Sequence, residues 1–222
     1  MQGAPRFEDP FTALWATGVF MSCLVILATI NIASPRKWKM LRQAALRMRL
    51  GNQALRGEVE AGDRDTLGLQ AVAISSMAML LWQAGSLSGA AAKASYLYFF
   101  IGTAAVIITQ AFLLRTIALF ARSDAGIGEF LHTGRLLHAV VGISVLPLTM
   151  LAAYHAPWRE AMVWIGILLL GAGVLYRWFR GAWIGLSAGV PARFIVLYLC
   201  AAEIGPLLLA LSLLRKSPTL HS

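Results

Sequence analysis

Glu203 is the residue that most needs a chemical account. It stands in Tyr198-Leu199-Cys200-Ala201-Ala202-Glu203-Ile204-Gly205-Pro206, within an otherwise uncharged apolar stretch. A carboxyl group near the centre of a bilayer must be protonated, paired or facing water. Pro206 has no amide hydrogen for the carbonyl of Ala202, so a helix kink and a polar side chain coincide there. Arg115, in a second apolar stretch with Gln110, is the expected partner of Glu203. An ion pair or hydrogen-bonded clamp is the leading reading. The alternative is a proton or substrate path lined by Glu203, Arg115 and Gln110.

The other reactive residue types give weaker signals. Pro147 lies inside an apolar stretch and is expected to bend a helix. His132 and His138 flank the start of that stretch and read as capping or interfacial residues. His155 and His221 fall toward the opposite side, so no pair at one depth forms to hold a haem. Cys23 and Cys200 sit in apolar runs and read as small buried hydrophobes. Gly181, Gly185 and Gly189 recur every four residues, where a flexible loop is the simplest reading. No phosphate-binding loop, HExxH pair or nucleophile elbow is present. No catalytic residue, metal site or cofactor is therefore expected.

These residues must be positioned by membrane helices. Hydrophobic residues make up 59% of the 222-residue chain and charged residues 13%, against roughly 25% charged in a soluble domain. A span needs about 20 apolar residues. Six stretches qualify, at about 11–33, 67–87, 95–121, 136–154, 161–178 and 192–214. The sequence thus predicts an all-α integral membrane protein with about six transmembrane helices, forming one bundle domain.

The net charge of +9 points to lipid and not to nucleic acid, because of where the charge lies. Eight of the 19 basic residues fall between Arg36 and Arg64, directly after the first span. There Leu41, Ala44, Ala45, Met48 and Leu55 share one helical arc, bordered by Arg42, Arg49 and Arg56. Such a segment can lie in the headgroup layer with its arginines on anionic lipid.

With six spans and this loop inside, one side holds Arg36, Lys37, Lys39, Arg42, Arg47, Arg49, Arg56, Arg64, Arg122, Arg135, Arg177, Arg180 and Arg193. The other holds Arg6, Lys93, Arg159, Arg215 and Lys216. The positive-inside rule then places both termini outside the cytoplasm. Trp15, Trp82 and Trp158 would line the outer interface, and Trp38, Trp178 and Trp183 the inner one. The first apolar run lacks a basic leader and a cleavage site, so it is expected to remain as a helix.

Three segments together resemble a known family. Phe194 to Leu208, with its Cys200-Ala201-Ala202-Glu203-Ile204-Gly205-Pro206 core, is similar to the C-terminal signature of a multipass membrane family of Bacteroidota, domain of unknown function 4271. Leu50-Gly51-Asn52-Gln53-Ala54-Leu55-Arg56 resembles its Asn-Gln-x-x-Arg pattern, and Gly142 to Leu148 its Gly…Leu-Pro-Leu segment. The similarity runs from about Ser34 to Lys216, with Gly205 replacing the more usual bulky aliphatic residue. It implies a bacterial inner-membrane protein and supplies no reaction. The leading expectation is a non-enzymatic assembly or scaffold subunit of an envelope complex, with other membrane subunits as partners. A small transporter or channel using Glu203 and Arg115 is the second reading. A membrane-embedded enzyme acting on lipid or isoprenoid is the third.

Overall fold

The computed structural model describes residues 10–35, 37–38, 41, 63–89, 95–121 and 127–187. All regular structure among them is helical. The five long helices are α1 (Leu14–Ala33), α2 (Asp63–Leu87), α3 (Tyr96–Ala121), α4 (Ile127–Tyr154) and α5 (Arg159–Ser187). Single 3-10 turns at Pro10–Thr12 and Ala156–Trp158 precede α1 and α5. Each of the five contains a stretch long and apolar enough to cross a membrane. The sixth expected span, with Glu203 and Pro206, lies outside the described residues, as do Arg42, Arg49 and Arg56 of the basic segment.

A helix satisfies its own backbone hydrogen bonds, which hydrocarbon cannot do for it. The small hydroxyl residues follow the same logic. Ser22 donates to the carbonyl of Gly18, Ser76 to Val72, Thr116 to Phe112 and Ser144 to Val140. Each returns its hydrogen bond to the preceding turn, so a polar side chain enters an apolar helix without needing water.

α2 and α4 form the centre of the bundle. α1 and α3 pack against α2, and α5 packs against α4 and α2. Glycines set the closest approaches. A Cβ at Gly142 of α4 would overlap the backbone of Ala73 on α2. One at Gly166 of α5 would come 2.6 Å from Leu80, and one at Gly173 would come 2.6 Å from Val141. Small residues of this kind let membrane helices approach closely enough for dispersion contacts to hold them. Met77, Leu80, Val141, Val145, Ala152 and Val163 fill the resulting interior.

The two ends differ in chemistry. At one, Trp82 meets Trp15 edge-on at 5.0 Å and Phe11 at 5.3 Å, while Tyr96 lies 5.3 Å from Trp15. The Arg159 guanidinium sits 4.2 Å above the Phe11 ring and donates to the carbonyl of Ala152. Aromatic rings mixed with a cation are the residue types enriched at membrane interfaces. At the other end, Lys37 donates to the Thr66 hydroxyl at 3.0 Å and lies 4.0 Å from the Asp65 carboxylate. Asp65 also accepts a hydrogen bond from Ser34, so the end of α1 is fastened to the start of α2.

The first three spans occupy nearly the expected limits, but the last two described ones are longer. α4 starts at Ile127 and not near 136. α5 continues to Ser187, well past 178, so Gly181 and Gly185 are helical where a loop was expected. Arginine is a good helix former, and glycine is tolerated in a membrane helix whose neighbours pack against it. Polar residues that marked the edge of the hydrophobic stretch did not mark the edge of the helix. α4 also continues across Pro147. Two residues beyond that proline, the Thr149 carbonyl accepts a hydrogen bond from the buried Gln83 amide at 3.0 Å, tying this turn to α2.

Candidate functional site

Among the described residues, a cluster of strongly polar side chains is drawn from three helices. Arg177 Nη1 donates to Gln110 Oε1 at 3.3 Å and lies 2.7 Å from His138 Nε2. The helices that carry them all have an end at the Trp82 side of the bundle, so their depths are comparable. At 1.5 Å per residue, Gln110 lies about 21 Å from Tyr96, His138 about 24 Å from Tyr154, and Arg177 about 27 Å from Arg159. Measured against a hydrocarbon core of about 30 Å, the cluster falls in the third nearest the Lys37 end.

The hydrogen bonds fix the state of the histidine. A guanidinium has donors only, so His138 Nε2 must accept and is unprotonated. Its ring proton is on Nδ1 and the imidazole is neutral. Gln110 contributes its carbonyl oxygen to the same guanidinium nitrogen. Arg177 is thus held between a neutral imidazole and a neutral amide.

Two further residues complete the setting. Arg180 follows Arg177 by three positions, so the two share a face of α5 one turn apart. Both are buried, Arg177 at 6% and Arg180 at 2% exposure. Gly134, one turn before His138 on α4, is also buried, and a Cβ there would lie 3.9 Å from Arg177 Cζ. A larger side chain would press on the guanidinium. Gly134 and His138 therefore form one surface of α4, shaped for the arginine.

Gln110 is brought into this cluster, and Arg115 is not. Five residues separate them, which places Arg115 about 140° around α3 from Gln110. Arg115 is exposed. Pro147 stands inside α4 in the half nearer Tyr154, away from the cluster. His138 is a half-buried partner of Arg177 and not a capping residue at the start of a helix. Arg177 and Arg180 were expected at the headgroup boundary and are instead interior. The available signal was the pairing of two spacings, Gly134 with His138 at four and Arg177 with Arg180 at three.

A fixed guanidinium with neutral acceptors can hold an oxyanion or clamp helices together. Among the described residues, no group of three or more His, Cys, Asp or Glu side chains could hold a metal ion.

An all-helical bundle with glycine-set crossings, an aromatic girdle and five helices able to cross a membrane defines the class: a multipass protein suited to a bilayer. Over residues 16–214 the sequence matches the family model described as Domain of unknown function (DUF4271), and the chain belongs to that family. No curated protein and no solved structure matches it.

Proposed function

We propose that the protein is a non-enzymatic component of a bacterial inner membrane that scaffolds or assembles an envelope complex. The observation that carries this reading is the contrast between the middle of the bundle and its outer faces. In the middle, α2, α4 and α5 meet at van der Waals distance at three heights, marked by Gly142, Gly166 and Gly173. On the outside, Trp164, Leu168, Leu175, Phe179, Trp183 and Leu186 are all exposed and follow one stripe along α5. A packed centre with broad apolar faces suits a part that other membrane helices lean on. The Arg177 cluster adds rigidity by fixing α3 and α5 to α4.

Orientation and lipid contact belong to the same proposal. Lys37, Arg115, Arg135, Arg177 and Arg180 lie toward one end of the bundle and Arg159 at the other, which supports placing the Lys37 end in the cytoplasm. Both termini are then periplasmic, and Arg42, Arg49 and Arg56 reach anionic headgroups of the inner leaflet.

Photo-crosslinking in native membranes tests the scaffold reading. A photoreactive residue at Leu168 or Phe179 should give one discrete protein adduct, and the same probe at buried Val145 should give none. Adducts with lipid alone from both α5 positions would overturn the proposal.

A further inference from the structure

Arg115 is an exposed cation on a helix apolar enough to cross a membrane, a setting where charged side chains are rare. Its depth supplies a reason. Tyr96 begins α3 within the aromatic end of the bundle, and from there to Arg115 the helix rises about 28 Å. The hydrocarbon core is about 30 Å thick, so the backbone of Arg115 stands just inside its far boundary. From that level a guanidinium on its flexible apolar stem reaches the phosphate layer. Gln110 lies deeper and is bonded within the bundle, to Arg177.

The face that carries Arg115 is bulky and apolar. Leu97, Ile101, Ile108 and Arg115 follow one another at spacings of four and seven, so they line up along one side of α3. All four are exposed. Phe112, one turn before Arg115 and about 60° around the helix, is exposed by 69%, and Ile108 by 65%. The neighbouring Thr116 hydroxyl donates to the Phe112 carbonyl, so its hydrogen is used within the helix. We propose that this face of α3 holds an anionic phospholipid, with its phosphate on Arg115 and its acyl chains along Phe112 and Ile108. One leaflet of hydrocarbon is about 15 Å deep and ends near Ala105, which leaves Ile101 and Leu97 to the opposite leaflet.

Charge and shape both favour lipid over a second protein helix. A phosphate meets the guanidinium at its own depth with a charge-assisted hydrogen bond. Close helix contacts in this bundle fall on glycines such as Gly142, whereas Phe112 and Ile108 would hold another helix away. The site lies on α3 and does not depend on the scaffold face of α5.

A local photo-crosslink tests the assignment. Full-length protein with a benzophenone side chain in place of Phe112 is reconstituted in phosphatidylcholine vesicles containing about one fifth phosphatidylglycerol. Phosphatidylglycerol adducts are expected to exceed that lipid's share of the vesicle by about fivefold, the ratio that one cation near an anionic surface supplies. Arg115→Gln should return the adducts to the vesicle share, and the same probe in place of Ile101 should show no enrichment. Salt at about 1 M should at least halve the enrichment in the parent, which tests the charge even where the Gln variant does not reconstitute. Adducts at the vesicle share in the parent, or an enrichment untouched by salt or by Arg115→Gln, would overturn the proposal. So would a discrete protein adduct in place of lipid from the Phe112 position in native membranes.

Discussion

His138 and Arg177 show how a residue type is given its meaning by depth and partner. An imidazole at the edge of a span can cap, bind metal or contact lipid, but here its Nε2 accepts from a buried guanidinium. Removing that acceptor takes away one of the hydrogen-bond partners of Arg177 in an apolar setting, at a cost of about 1–3 kcal/mol. His138→Leu should therefore lower stability by about that much in reversible unfolding from detergent micelles. His138→Gln offers an amide oxygen and should recover part of the loss. Equal stability of the Leu variant and the parent would show that the contact contributes nothing. The sequence made Gln110 visible, because an amide in an apolar run must find a partner. It did not identify the partner. An arginine near the end of a span can turn outward to headgroups or inward to other helices, and only the packing of α3, α4 and α5 settles which.

The helices themselves were legible to different degrees, for physical reasons that can be named. α1, α2 and α3 have ends that coincide with abrupt changes in polarity, at Ser34-Pro35, in Asp63-Arg64-Asp65 and at Ser95, and their limits follow the sequence closely. α4 and α5 run past their hydrophobic stretches, since hydropathy marks where lipid begins and not where helix ends. α5 has 29 residues, or about 42 Å, and exceeds the hydrocarbon thickness. What no periodicity disclosed was which glycines lie at crossings. Gly142 rests on the backbone of Ala73, whereas Gly166 faces the end of the Leu80 side chain. Backbone cannot yield without moving a helix, but a leucine can change rotamer. Gly142→Ala should then destabilise by about 1–3 kcal/mol, as overpacking does, and Gly166→Ala by clearly less. The order of the two variants in thermal unfolding checks this, and the reverse order would show that the α2–α4 crossing is not the tighter one. The fastening of α1 to α2 is expected to matter less. Lys37 is buried but lies 4.0 Å from a part-exposed Asp65, too far for a close ion pair. Lys37→Ala should accordingly lower the thermal unfolding midpoint less than Gly142→Ala does.

At the scale of the whole molecule, the asymmetry between its two ends makes a claim about orientation. At the Trp82 end, Trp82 contacts Phe11 and Trp15, Trp15 contacts Tyr96, Arg159 sits over Phe11, and Thr17 meets the Tyr154 hydroxyl at 2.8 Å. Aromatic girdles form at both membrane faces, so this end carries no sidedness by itself. Sidedness comes from the cations. Lys37, Arg115 and Arg135 are found toward the opposite end with Asp65, and the basic stretch from Arg36 to Arg64 emerges there from α1. Arg177 and Arg180 are buried and serve packing as well as charge placement. The proposed orientation, with the Lys37 end in the cytoplasm, makes a labelling prediction. Single cysteines at Ser34 and Ser95, in a background with Cys23 and Cys200 replaced by alanine, separate the two orientations. With an impermeant maleimide on intact spheroplasts, Ser95→Cys should label at once and Ser34→Cys only after permeabilisation. The opposite pattern would invert the bundle. It would also move the Arg177 cluster from the inner leaflet to the outer one, where the negative surface potential of cytoplasmic anionic lipid no longer favours its charge.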